Sequence, residues 1–507
     1  MRTYTARWIF ALAALMCVAL GAGCKVGPNY GKPEAPYSND WIDGDNPRLV
    51  GQIEDPKAWW VVFGDQQMNA LIERAASENL SLKEAGMRVA EARYQRRITA
   101  GSLFPQSQTA YGQYNHRQLS QNNANFFPGL ALRQFDQVAL GMDAAWELDF
   151  WGRFRRSVEA ADAELNASVE HYDDAMVLLL SEVASTYIEI RTLERRLIYA
   201  RENLGIQQGT LELVTRKFEG GAVSELDVQQ SKVNVKQTEA AIPALEIAHR
   251  QACNRLCTLM GMPPTDLDAV LGRTGNIPAP PEQVALGIPA DLLRQRPDVR
   301  RIERQMAAQS ARIGVAKSDF YPHISITGAI AVESKFGSTL FEKGSLAGYA
   351  GPSFKWNILN YGRIKNNVLL QDATFQRLAY AYQNSVLDAN RQVEDALVAY
   401  IKTHDRIASL QESVDAAIKT VNISEVQYRE GAVDFNRVFL LQTEKVRQQD
   451  LLAVAQGDLA RSLVAVYKGL GGGWQIRLSE MPIPTTGLVP LPAAEPEPMP
   501  AAPVPAR

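Results

Sequence analysis

The residue best placed to do chemistry is a thiol. Cys24 follows Gly21-Ala22-Gly23, which close an apolar run from Trp8 to Leu20 preceded by Arg2 and Arg7. A basic start, a short apolar run and small residues before a cut site mark a secretory signal. The run is too short for a comfortable membrane span. Cleavage before Cys24 makes its sulfur the first side chain of the mature chain, open to lipidation and anchoring. A signal over 1–23 and a lipidated segment over 24–64 are therefore expected. A plain secretory signal with an incidental cysteine is the alternative, since Gly21 stands where acylation signals usually carry an aliphatic residue. The other mature thiols, Cys253 and Cys257, sit four apart on a predicted helix. That is poor disulfide geometry and reads as core packing.

No catalytic constellation accompanies these thiols. The histidines His116, His171, His249, His323 and His404 are scattered. Gly351-Pro352-Ser353-Phe354-Lys355 lacks the second glycine of a nucleophile elbow. There is no phosphate-binding loop and no His-Glu-x-x-His. The chain is expected to be no enzyme and to hold no metal and no cofactor. Lys plus Arg is 53 against 56 Asp plus Glu, so a nucleic-acid partner is not expected.

The elements that must position Cys24 come from a duplication. Trp146…Trp151-Gly152-Arg153 recurs 210 residues later as Trp356…Tyr361-Gly362-Arg363. The same offset relates Gly221 to Gly431 and Gly261 to Gly471. The first repeat is expected over 65–262, with strands about 106–151 and long helices about 153–218 and 224–260. The second is expected over 290–473, with strands about 323–361 and helices about 363–429 and 435–470. A Pro-rich linker, 263–289, joins them, and a Pro-rich disordered tail is expected over 474–507. About seven extra residues fall between 106 and 145, where a loop is expected.

The long helices carry apolar residues every seven positions: Met176, Val183, Ile190, Leu197, Leu204, Leu211 and Phe218, and in parallel Val386, Val393, Tyr400, Ile407, Val414, Val421 and Tyr428. A sustained 3.5-residue period predicts coiled-coil packing. About 65 residues at 1.5 Å each span roughly 100 Å. The strand regions alternate instead. Val138, Leu140, Met142, Ala144, Trp146, Leu148 and Phe150 are apolar, with small or acidic residues between. Both a lipid-facing strand and a half-buried soluble strand produce that pattern. If the four strands face lipid, they cannot close alone, because the smallest bacterial barrels have about eight. Trp146, Phe150, Trp151, Trp356 and Tyr361 fit an interfacial belt or a barrel wall.

The order of motifs resembles the TolC-like outer-membrane efflux channel family, in its lipoprotein branch. The matching residues are Cys24 to Tyr30, Trp59-Trp60…Phe63-Gly64-Asp65, Trp146 to Asp149, Ser224-Glu225-Leu226-Asp227-Val228 and Leu292 to Asp298. The resemblance implies a mainly α protomer of long coiled-coil helices plus four strands. It implies a homotrimer with a 12-stranded β-barrel in the outer membrane on a 12-helix α-barrel, and an equatorial domain. It further implies passive export of small toxic molecules. The implied partners are a periplasmic adaptor protein, an inner-membrane resistance-nodulation-division type transporter and outer-membrane lipid. A type I protein secretion duct and a non-pore coiled-coil envelope lipoprotein are the alternatives.

Two Gly turns end the long helices. In the first, Gly221 precedes Ser224, Glu225, Leu226 and Asp227, a capping-box pattern; in the second, Gly431 precedes the N-cap candidate Asp434. The resemblance places both at the periplasmic mouth as adaptor-docking tips. Some family members close this mouth with aspartate rings. The matching stretch here, Asn436 to Leu441, has no Asp, which leaves Arg437, Phe439 and Leu440 as the expected gate.

Overall fold

The computed structural model describes residues 24–37, 40–50, 56–118, 120, 122, 134–272, 276–285 and 294–478. The expected signal over 1–23, most of the loop around the extra first-repeat residues, Leu292-Leu293 and the chain beyond 478 lie outside these.

Each repeat supplies a helical approach, a pair of strands, a long helix and a half-length helix. In the first repeat α1 (Gln66–Glu78) and α2 (Leu80–Gly101) make the approach, split at Asn79. Asn79 ends one helix and caps the next by accepting from Leu82 N at 2.8 Å. Strands β2 (Ser107–Gln118) and β3 (Gln134–Glu147) follow, then α3 (Arg153–Glu219) and α4 (Glu225–Leu259). In the second repeat the approach is described from α6 (Pro297–Ser318), with proline at its first position. It continues with β5 (His323–Ser334), β6 (Leu346–Lys355), α7 (Arg363–Arg429) and α8 (Phe435–Gly469). Helices α3 and α7 have 67 residues each, so each spans roughly 100 Å.

The duplication is visible in the backbone. Gly152 and Gly362 open the long helices at φ +78° and +81°, and Gly221 and Gly431 close them at +70° and +82°. Glycine adopts this left-handed region without the Cβ penalty, so the 210-residue motif marks where the chain must turn sharply.

The helices stand side by side. Near the sheet the row runs α2–α3–α6–α7; farther away it runs α4–α3–α8–α7. The four-stranded antiparallel sheet has the order β2–β3–β5–β6. The main core lies where both helix rows overlap, with Met176, Leu180, Val183, Tyr187, Val393, Tyr400 and Leu463 buried. Trp59 stacks on Tyr467 there at 5.4 Å.

The chain ends and middle wrap this core as a belt. Residues 24–37 and 40–50 run as a strap along α6 and α7. Lys32 pairs with Glu303 at 2.7 Å and Arg48 with Asp405 at 2.9 Å. Gly27 presses so closely on α6 that a Cβ there would lie 2.4 Å from Gly314 Cα. The linker is more than a spacer. It carries a helical turn, α5 (Asp268–Leu271), and β4 (Val284–Ala285), which pairs in parallel with β1 (Leu49–Val50).

The tail expectation needs correcting at its start. Residues Trp474–Leu478 form a 3₁₀ turn with Trp474 and Ile476 buried. Arg477 forks onto the fully buried Asp173 at 2.5 and 2.9 Å. An aromatic, an aliphatic and a paired arginine give this turn a reason to dock that the prolines farther on do not share.

The heptad expectation also shifts in the lower half of α3. Leu204 is half-buried and Phe218 exposed, whereas Asn203, Gln207, Thr210 and Val214 are buried. These polar side chains join across the seam. Asn203 bonds Gln449 at 2.6 Å, Gln207 bonds Asn234 at 3.2 Å, and Gln442 reaches Thr210 at 2.9 Å. Lys445 is buried beside this ladder, and desolvation lowers its pKa.

Candidate functional site

The sheet is built as a two-faced wall. Register places Met142 between Ala110 and Ile330, and Trp146 beside Ile326. Leu140, Met142, Trp146, Ile326 and Ile330 share one face, and all are exposed. The opposite face carries Thr109, Gln113, Asp143, Glu147, Ser325, Thr327 and Ser353 on the same register. Large apolar side chains left bare by every described residue, backed by a polar face, are what a lipid-facing strand requires. A half-buried soluble strand would have its apolar face covered. The weakly alternating β2 is nonetheless a strand throughout, and Pro352 is accommodated because β6 is an edge strand. No helix among the described residues is long and apolar enough to cross a membrane.

At the base of the wall the chain turns into α3. Asp149 caps this turn, accepting from Phe154 N at 2.8 Å and from Arg155 N at 2.9 Å. Trp151 stacks on Tyr321 at 4.5 Å and donates to Pro322 O at 2.9 Å, which ties it to the wall rather than to a free belt. Cys24 is brought here and is exposed. Val26 N donates to Trp151 O at 3.1 Å, and the buried Arg156 donates to the carbonyls of Val26 and Gly27 at 3.0 and 3.1 Å. The strap therefore fixes the thiol at the membrane end of the helices.

The two Gly turns come together at the other end. Ser224 N and Oγ both donate to the Asp227 carboxylate at 3.1 Å, and Asp434 accepts from Arg437 N at 3.0 Å. Val214, Val228, Tyr428, Phe435 and Val438 form a small core between the hairpins. Lys217 crosses from one hairpin to donate to Tyr428 O at 2.5 Å and Arg429 O at 3.1 Å. Burial pushes the Tyr428 phenol up to about 12. Gly221, Glu225, Leu226 and Gly431 are exposed at the tip.

The expected gate residues divide. Arg437 and Leu440 are exposed, whereas Phe439 is half-buried and packs against the tip core. Positions 437 and 440 lie on one helix face and 439 on another, so an apolar ring from Phe439 does not fit this arrangement.

Sequence reasoning missed the strap contacts, the polar ladder and the docked turn at 474–478. A signal for the ladder is present in the sequence, because Gln207 is polar three residues after the heptad residue Leu204.

With this geometry in place, likeness to known proteins is informative. The chain matches the outer membrane efflux protein family over residues 71–262 and 288–472. It is 31% identical over 451 residues to Nodulation protein T of Rhizobium leguminosarum bv. trifolii, covering 87% of this chain and 91% of that protein. It is 29% identical over 483 residues to the toluene efflux pump outer membrane protein TtgF of Pseudomonas putida, covering 93% and 98%. Among solved structures, the outer-membrane channel OprN superposes with a TM-score of 0.83 at 30% identity, covering 89% of this chain and 100% of that one. A lipid-facing sheet, a coiled-coil wall and two hairpin tips are the parts of a TolC-like channel protomer. The chain belongs to the outer membrane efflux protein family and is an outer-membrane channel component of an efflux system.

Proposed function

We propose that three copies close into one passive duct, and that this duct carries small toxic organic molecules. The carrying observation is that every layer of the protomer is open at both edges. The sheet ends in β2 and β6, the upper helix row in α2 and α7, and the lower row in α4 and α7. Apolar side chains line these edges: Tyr94, Ile98 and Phe104 on one side, Leu369, Leu370 and Tyr380 on the other. Two unlike edges on one chain make a heterologous contact, which generates a ring when the rotation between copies closes. Lipid tolerates no open sheet edge, so four strands alone are not viable.

In this reading Cys24 is lipidated, because the strap holds it where the sheet meets the helices. The tips, with Gly221, Ser224, Glu225, Leu226, Asp227, Gly431 and Asp434, dock a periplasmic adaptor protein. The adaptor couples the duct to an inner-membrane transporter of the resistance-nodulation-division type. The duct performs no catalysis. The full-length chain, taken from outer membranes, should cross-link as a trimer, conduct in planar bilayers, and show a mature mass carrying acyl chains on Cys24. A monomer without conductance sinks the duct, and an unacylated mass sinks the anchor.

Arg437 and Leu440 form the periplasmic constriction in this reading, the arginine by charge and the leucine by dewetting. Arg437→Ala should raise closed-state leakage in single-channel recordings. Leakage equal to that of the unaltered chain removes Arg437 from the gate.

A further inference from the structure

The two sheet-to-helix junctions are related by the repeat, but they are finished differently. At the first, Asp149 supplies a carboxylate to the start of α3 and accepts from Arg155 Nε at 2.9 Å. Glu147 meets Arg153 at 3.2 Å and His323 at 2.8 Å. The strap covers the turn, with Lys25 Cα 3.0 Å from where a Cβ on Gly152 would lie.

At the second junction the positions of Glu147 and Asp149 are taken by Asn357 and Leu359. From Trp356 to Gln371 the chain carries Arg363 and Lys365 and no carboxylate. Helix α7 begins with no capping side chain and no acid in its first turn. No described segment covers the turn: among the described residues a Cβ on Gly362 would meet only the Asn366 amide nitrogen within 4 Å. Ile358, Leu359 and Tyr361 are 68%, 76% and 93% exposed. The glycine turn is thus the same, while the carboxylates are missing: Arg363 and Lys365 stand where Arg153 and Arg155 pair with Glu147 and Asp149, and apolar side chains stand bare.

The first junction carries Cys24 at the boundary of the apolar sheet face, and the repeat puts the second junction at the same level. The anion plentiful at such a boundary is a phospholipid phosphate. We propose that the second junction binds an anionic phospholipid of the periplasmic leaflet. Its phosphate lies against Arg363, Lys365 and the start of α7, where Asp149 stands in the first repeat, and its acyl chains lie along Ile358, Leu359 and Tyr361. Mixed basic and aromatic-aliphatic surface is the chemistry that takes such headgroups. This inference uses the membrane placement of the sheet and not the coupling to a pump.

The test uses the full-length chain in nanodiscs of phosphatidylcholine with one quarter (~25%) phosphatidylglycerol. Retained lipid is counted by native mass spectrometry. The unaltered chain should prefer phosphatidylglycerol by about tenfold. Arg363→Gln with Lys365→Gln should remove the preference. Leu359→Asp, which restores the first repeat's carboxylate, should remove it too without unfolding the chain. Equal retention of both lipids by the unaltered chain overturns the proposal. A spin label on Leu359→Cys should be reached by oxygen, as lipid-exposed positions are. A label immobilised and shielded from oxygen overturns it in favour of a neighbouring copy. Planar-bilayer conductance is recorded on the same sample. A conducting channel without the lipid preference sinks this site alone, and a silent one sinks the duct.

Discussion

Arginine at Met142 is expected to prevent the channel from assembling in the outer membrane. Met142 sits near the middle of β3, between Ala110 and Ile330, and is 61% exposed on the apolar face. A charge at that depth on the lipid side costs about 2–4 kcal/mol per copy, which is a large share of a marginal stability. Arginine at Thr327, which register places on the polar face between Ala145 and Gly351, should be accommodated. It should alter ion selectivity instead. The check is the amount of each variant in purified outer membranes, followed by reversal potentials for the one that assembles. Normal assembly of Met142→Arg with loss of Thr327→Arg would falsify the assignment of faces.

Arg191→Ala should cost about 3–5 kcal/mol, because it leaves a buried partner network without its cation. Arg191 is 1% exposed in the middle of α3. It pairs with Glu194 at 2.8 Å, donates to the Gln67 side chain and the Leu271 carbonyl, and lies 5.0 Å from the Tyr187 ring. It thereby fastens α1 and the linker turn α5 to the long helix. Burial would raise the Glu194 carboxyl, but hydrogen bonds from His249 and Arg191 overcome this and hold it below its ordinary value. Arg191→Met fills most of the volume yet leaves the same acceptors unpaired, so it should not rescue. Thermal melts of the detergent-solubilised channel decide this. A methionine variant as stable as the parent would show that Arg191 acts by packing.

Local periodicity made much of this molecule legible. Val183, Ile190, Val386, Val393 and Tyr400 are buried where the heptads put them. Gly152, Gly221 and their partners turn the chain where the repeat placed them. These signals are short-range and doubled, so each copy corroborates the other. What stayed hidden depends on distant partners. The pairing of Leu49–Val50 with Val284–Ala285 has no period to read. Arg477 resembled the start of a proline-rich tail until Asp173, 304 residues away in sequence, was placed beside it. Asn203 stayed hidden because a search for apolar repeats is blind to a buried polar seam. The gate suffered similarly, since spacing alone does not tell that Phe439 turns toward the tip core while Arg437 and Leu440 turn away.

The open edges of the protomer reach into genetics. A chain that must borrow both neighbours is vulnerable to a defective sibling made in the same cell. With equal amounts of sound and faulty copies, random assembly of the proposed ring of three leaves only about one ring in eight without a faulty member. Lesions that spare the open edges but spoil the tip residues should therefore act as dominant in a cell that makes both copies. Lesions that ruin an edge remove the copy from the pool and should be recessive.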